Sequence, residues 1–182
     1  SNYPSINKMN KIILNANHLV ISALTAIKNK NYIEAKNLLE KAILIQPEMF
    51  EANHNLAILN FQLGNLDSSI LYFEKSRKIK PKFSQVYFNL GLAYDRKKNI
   101  DLAIINFKKV IKLDPNNSIA LYNIGHLYKA KLEPIKAEEY LSKSLDLNPN
   151  FIKTYDDIGS PSIFAGTNFT CFMHLIASFT NA

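Results

Sequence analysis

Residues 84–117, SQVYFNLGLAYDRKKNIDLAIINFKKVIKLDPNN, decide the fold. Apolar residues fall at a helical period on both sides of Asn99, and Pro115 closes the second helical segment. The same proline recurs as Pro47, Pro81 and Pro149, so four prolines stand 34 residues apart. A fixed period in this range marks a solenoid of stacked helices, in which each unit buries its apolar face only against its neighbours. The expected fold class is therefore all-α. It offers a long groove instead of a catalytic pocket.

With each proline at position 32, the repeats run 16–49, 50–83, 84–117 and 118–151. Small residues then recur at position 8 (Ala23, Ala57, Gly91, Gly125), position 20 (Ala35, Ser69, Ala103, Ala137) and, Val110 apart, position 27 (Ala42, Ser76, Val110, Ser144). Large residues recur at position 24 as Leu39, Phe73, Phe107 and Leu141. Small side chains let two helices approach to about 8–10 Å, and the large ones fill the space beside them. Position 7 is Ser22, Leu56, Leu90 and Ile124; position 11 is Ala26, Asn60, Tyr94 and Tyr128. This register, with its Leu90-Gly91…Tyr94 and Ile124-Gly125…Tyr128 spacings, resembles the tetratricopeptide repeat (TPR) family over residues 16–151. The resemblance implies an α-solenoid, a right-handed superhelix of antiparallel helix pairs.

Local signals predict where the helices start and stop. Asn31, Asn65 and Asn99, all at position 16, are expected to cap the second helices with their side chains. In the fourth repeat Glu133 precedes Pro134, and proline suits a first helical turn. Ser84 and Ser118 are expected to cap first helices. Two positions depart from the family pattern. Position 4 is Leu19, Asn53, Tyr87 and Leu121, so Asn53 needs a partner or solvent. Position 15 is Lys30, Gly64, Lys98 and Leu132, which predicts strained or looser turns at three junctions.

The ends differ from the repeats. Residues 1–15 read as an N-terminal helical extension, with Ile6, Met9, Ile12 and Ile13 on one side. After Asp157 no charged residue occurs, and Pro161 interrupts the start of a fifth first helix. Cys171, Leu175 and Ser178 nevertheless keep the small-large-small register. Residues 152–182 are thus either a degenerate fifth repeat or a non-native apolar tail.

In the family, positions 2, 5, 6, 9, 12 and 13 of each first helix face the groove. Position 6 reads Asn55, Asn89 and Asn123, which resembles the asparagine ladder in the repeats of O-GlcNAc transferases. An amide carries donors and an acceptor, so each rung can bond one peptide unit in both directions. Beside the ladder stand His54, Phe88 and Tyr122 at position 5, Phe61 and Lys129 at position 12, and Arg96 at position 13. Aromatic and arginine anchors suit a peptide groove. The carboxylate clamp of chaperone-binding repeats is absent: its Lys and Asn positions hold Val20 and Leu24, or His54 and Ile58.

Other function classes find little support. The +7 charge comes from lysine, with Arg77 and Arg96 the only arginines, and Lys lacks the planar fork that reads phosphates and bases. Many lysines sit near second-helix ends, where they complement the helix dipole. Nucleic acid and membrane partners are not expected. A single cysteine, Cys171, excludes an internal disulfide and points to a reducing, cytoplasmic compartment. The histidines are scattered, and no nucleophile motif or phosphate loop occurs, so neither catalysis nor a metal or cofactor is expected. The leading expectation is a non-catalytic scaffold binding an extended peptide or a partner helix in its groove. The alternative is the recruiting arm of a longer enzyme of glycosyltransferase or sulfotransferase type, in keeping with a chain that begins at Ser1 rather than Met. Apolar surface at an uncapped repeat end would favour self-association.

Overall fold

The computed structural model describes residues 6–149, with side chains from residue 10 onward. The described residues form eight helices and no strand: α1 Ile6–Lys28, α2 Tyr32–Ile45, α3 Phe50–Gln62, α4 Leu66–Ile79, α5 Ser84–Arg96, α6 Ile100–Leu113, α7 Ser118–Ala130 and α8 Pro134–Leu147. The chain divides after Pro115 into two compact units, one holding α1–α6 and the other α7–α8. In the first, helices pair as α1 with α2, α3 with α4 and α5 with α6. Each second helix also meets the next first helix, α2 on α3 and α4 on α5. In the second unit α7 packs along α8. The readings of residues 152–182 lie outside the described residues.

The small and large positions meet as their chemistry requires. Leu39, Phe73 and Phe107 are fully buried, as are Ala23, Ala57, Ala35 and Ala103. A Cβ placed on Gly91 would stand 2.8 Å from the Phe107 ring, and one on Gly125 would stand 2.7 Å from Leu141 Cγ. Position 8 therefore abuts position 24 within a helix pair. Each large side chain buried this way contributes about 1.5–3 kcal/mol. Ser69 brings a polar group into the same contact and is satisfied there, its Oγ donating to the Ala57 carbonyl at 2.8 Å. In the second unit Ser144 Oγ likewise donates to Ser118 O at 2.8 Å.

All four tight turns share one geometry. Lys30, Gly64, Lys98 and Leu132 have φ of 60°, 80°, 62° and 60°. The amide of each bonds back three residues, and the next residue's amide bonds back five: Lys98 N to Asp95 O at 2.8 Å, Asn99 N to Tyr94 O at 2.9 Å. This is the Schellman closure of a helix C-terminus. The expected strain is present, because three side chains sit in the left-handed region. The expected loosening is not, since the hydrogen bonds repeat unchanged at every junction.

Helix starts follow the sequence in part. Asn31 Oδ1 accepts from Glu34 N at 3.3 Å, and Asn99 Oδ1 accepts from Leu102 N at 3.2 Å. Asn65 occupies the same position but makes no side-chain cap bond. Pro134 opens α8, as its fixed φ favours. The serines are one residue too late to cap. Phe83 stands at the N-cap of α5, and Asn117 caps α7 by accepting from Ala120 N at 3.0 Å. Both serines are the first residues inside their helices.

Asn53 finds its partners in the turn before it. Its Nδ2 donates to Pro47 O at 2.9 Å and to Met49 O at 2.8 Å. One repeat later Tyr87 does the same job, its hydroxyl donating to Pro81 O at 2.9 Å. Position 4 thus ties α3 and α5 to the carbonyl of the preceding period proline, whereas Leu19 and Leu121 at the same position have no group that could make the bond. The Asn53 amide leaves its Oδ1 buried without a partner, which the Tyr87 phenol avoids.

Candidate peptide-binding face

The first helices α3 and α5 lie side by side in the first unit. Position 6 of each is half-buried: Asn55 on α3 and Asn89 on α5. The two amides are oriented differently. Asn55 Nδ2 donates to Glu51 O, one turn back, at 2.7 Å, which leaves Oδ1 as an acceptor. Asn89 Oδ1 instead accepts from Gln85 Nε2 at 3.1 Å, which leaves its NH2 as a donor. On α7, in the second unit, Asn123 is buried and its Nδ2 donates to Ile119 O at 2.8 Å.

The aromatic residues expected beside these amides belong to the core. Phe88 sits edge-on to Phe107, centroids 5.4 Å apart, and His54 sits edge-on to Phe73 at 5.7 Å. Position 5 therefore packs on position 24 of its own pair, a contact that the 34-residue period alone does not show. Tyr122 is buried too, with its ring 4.3 Å from that of His126. His54 is further enclosed by Phe50, stacked at 5.1 Å, and by Phe83 at 5.8 Å. Burial pushes its pKa down to about 4; Glu51 opposes that shift, and Lys80 adds to it. Neither ring nitrogen has a hydrogen-bond partner.

Phe61 and Arg96 occupy each other. The guanidinium lies 3.9 Å from the Phe61 ring centroid, and Nη1 donates to the Phe61 carbonyl at 3.2 Å. The pair latches the C-terminal end of α3 to that of α5, and Arg96 spends its planar face there. At the other end Lys80 Nζ reaches Glu51 Oε1 at 3.0 Å and covers the Phe50 ring at 4.2 Å. Lys129 is exposed on α7. Asn55 and Asn89 are the half-buried amides of α3 and α5, flanked by Glu51 and Gln85, with Gln62 exposed nearer the end of α3. Gln85 holds position 2, a groove-facing position in the family, and its bond to Asn89 is not legible in the repeat register. Its spacing four residues before Asn89 was the available signal.

Tetratricopeptide repeat models match residues 26–90, 84–117 and 106–139, so together they run unbroken from 26 to 139. The chain belongs to the tetratricopeptide repeat family. No curated protein sequence matches it. Solved TPR structures do. A crystal structure of MamA aligns with TM-score 0.72 and 24% identity over 76% of this chain and 81% of that one. YrrB, described as a TPR protein with an unusual peptide-binding site, aligns with TM-score 0.69 and 24% identity over 75% and 71%. MamA from Desulfovibrio magneticus RS-1 aligns with TM-score 0.70 and 20% identity over 75% and 77%. These likenesses establish the TPR fold. Among the described residues of this TPR chain, no three His, Cys, Asp or Glu side chains converge as a metal site. No described helix is long and apolar enough to cross a membrane.

Proposed function

We propose that this chain is a protein-interaction scaffold that binds an extended peptide across the α3–α5 face. The observation that carries the reading is the unlike orientation of two half-exposed amides on adjacent helices. Asn55 presents a carbonyl oxygen and Asn89 an NH2 group. A peptide backbone presents the complement, N–H to the first and C=O to the second. Recognition through the backbone gives affinity with little sequence preference. Arg96 and Phe61 support the surface by locking α3 to α5 and make no claim on the ligand.

The test is an extended-peptide library screened against the chain and against the Asn55→Ala/Asn89→Ala variant. Each hydrogen bond contributes about 0.5–1.5 kcal/mol, so affinity is expected to fall by about ten-fold or more with helicity unchanged. Unchanged affinity in a variant that keeps its circular dichroism spectrum overturns the reading.

A further inference from the structure

The outward faces of α4 and α6 carry the same unneutralised pattern. On α4, Leu71, Lys75 and Lys78 are spaced i, i+4, i+7; on α6, Ile105, Lys109 and Lys112 repeat that spacing 34 residues later. Residues so spaced share one helix face, opposite the buried positions 20, 24 and 27. Both aliphatic side chains are open to solvent, Leu71 at 54% and Ile105 at 61%. Lys75, Lys78 and Lys112 are exposed, and Lys109 is half-buried with its Nζ 5.6 Å from the Tyr87 ring centroid.

Nearby carboxylates do not neutralise these lysines. Glu74 is held by Arg77 and Asp67 by Lys97. Asp101, on α6, also has a partner. None of the four lysines forms an ion pair among the described residues. The fold does not demand this arrangement. At the same register α8 carries Glu139, Lys143 and Asp146, and Lys143 there is paired with Glu139 at 2.6 Å. At that register α2 carries Asn37, Lys41 and Leu44, so it keeps one lysine but not the aliphatic-lysine-lysine order of α4 and α6.

From this charge complementarity we infer that the outer face of α4 and α6 docks an acidic amphipathic helix of a partner protein. Its carboxylates pair with the lysines and its leucines cover Leu71 and Ile105. The interleaving favours this occupant. Nucleic acid gains nothing from the aliphatic side chains and prefers arginine, yet Arg77 is already engaged by Glu74. One aliphatic side chain per stripe gives a lipid surface little to bury. This face is separate from Asn55 and Asn89 and does not depend on the peptide reading.

The probe is a synthetic amphipathic helix with leucines flanked by glutamates, titrated by fluorescence anisotropy at low and high salt. Phosphatidylserine vesicles and duplex DNA are titrated in parallel. Binding of the acidic helix is expected to weaken with salt and to fall at least about ten-fold in Lys78→Glu/Lys112→Glu, because reversed charges now face like charges. Leu71→Ser/Ile105→Ser should weaken it too, and Asn55→Ala/Asn89→Ala should not. Equal binding by Lys78→Glu/Lys112→Glu overturns the inference. So does lysine-dependent binding of vesicles or DNA with none of the acidic helix.

Discussion

His54 shows how one residue couples the core to pH. Its ring is 5% exposed among three phenylalanines, and both nitrogens lack partners. Its folded pKa of about 4 lies below the ordinary 6.5, so protons bind the unfolded chain first as pH falls. The stability tied to neutral His54 is whole above pH 6.5 and is lost progressively as pH drops through about 4. The loss amounts to roughly 3 kcal/mol. Urea denaturation of the wild type and of His54→Phe at pH 7 and pH 5 should show the difference. The variant is expected to be at least as stable at pH 7 and to lose less on acidification. Phe88 already fills the equivalent slot one repeat later. Gly91 is the second sensitive position. An added methyl group meets the Phe107 ring at 2.8 Å. The overpacking cost of about 1–3 kcal/mol outweighs the helix-propensity gain of about 1 kcal/mol. Gly91→Ala should therefore lower the midpoint of thermal unfolding.

At the scale of the element, one residue ends one helix and begins the next. Asn31 and Asn99 each donate the backbone N–H that closes the Schellman turn and supply the side-chain oxygen that caps the following helix. The connector is only three residues long, Asn29–Asn31 or Lys97–Asn99; Leu63–Asn65 and Lys131–Glu133 keep that length without the side-chain cap, so the backbone closure sets it. The left-handed residue between them is where the turn stores strain. A non-glycine side chain there costs about 1–2 kcal/mol, partly offset by the greater freedom of glycine in the unfolded chain. Lys98→Gly should raise stability by about 0.5–1 kcal/mol in chemical denaturation. Gly64→Ala should lower it by a similar amount. Leu132→Gly should also stabilise, while removing an 87%-exposed leucine.

At the scale of the whole molecule, two surfaces of the first unit are proposed to work independently, and their variants should not cross over. Loss of peptide binding in Asn55→Ala/Asn89→Ala must leave the lysine face intact, and the reverse must hold for Lys78→Glu/Lys112→Glu. The sequence by itself determined the all-α repeat architecture, because the 34-residue period and the recurrence of small residues at positions 8 and 20 and large ones at position 24 are local chemistry repeated in register. It also marked Asn31 and Asn99 as caps and Asn55 and Asn89 as the polar residues of the first helices. Only the tertiary structure decided that His54, Phe88 and Tyr122 are core residues and that Arg96 lies on Phe61. Likewise, only the packed chain shows that Asn55 and Asn89 offer opposite hydrogen-bonding groups. The period assigns each residue a place on its own helix. What that side chain touches depends on neighbouring helices and on the hydrogen bonds left after packing, which no spacing along the chain records.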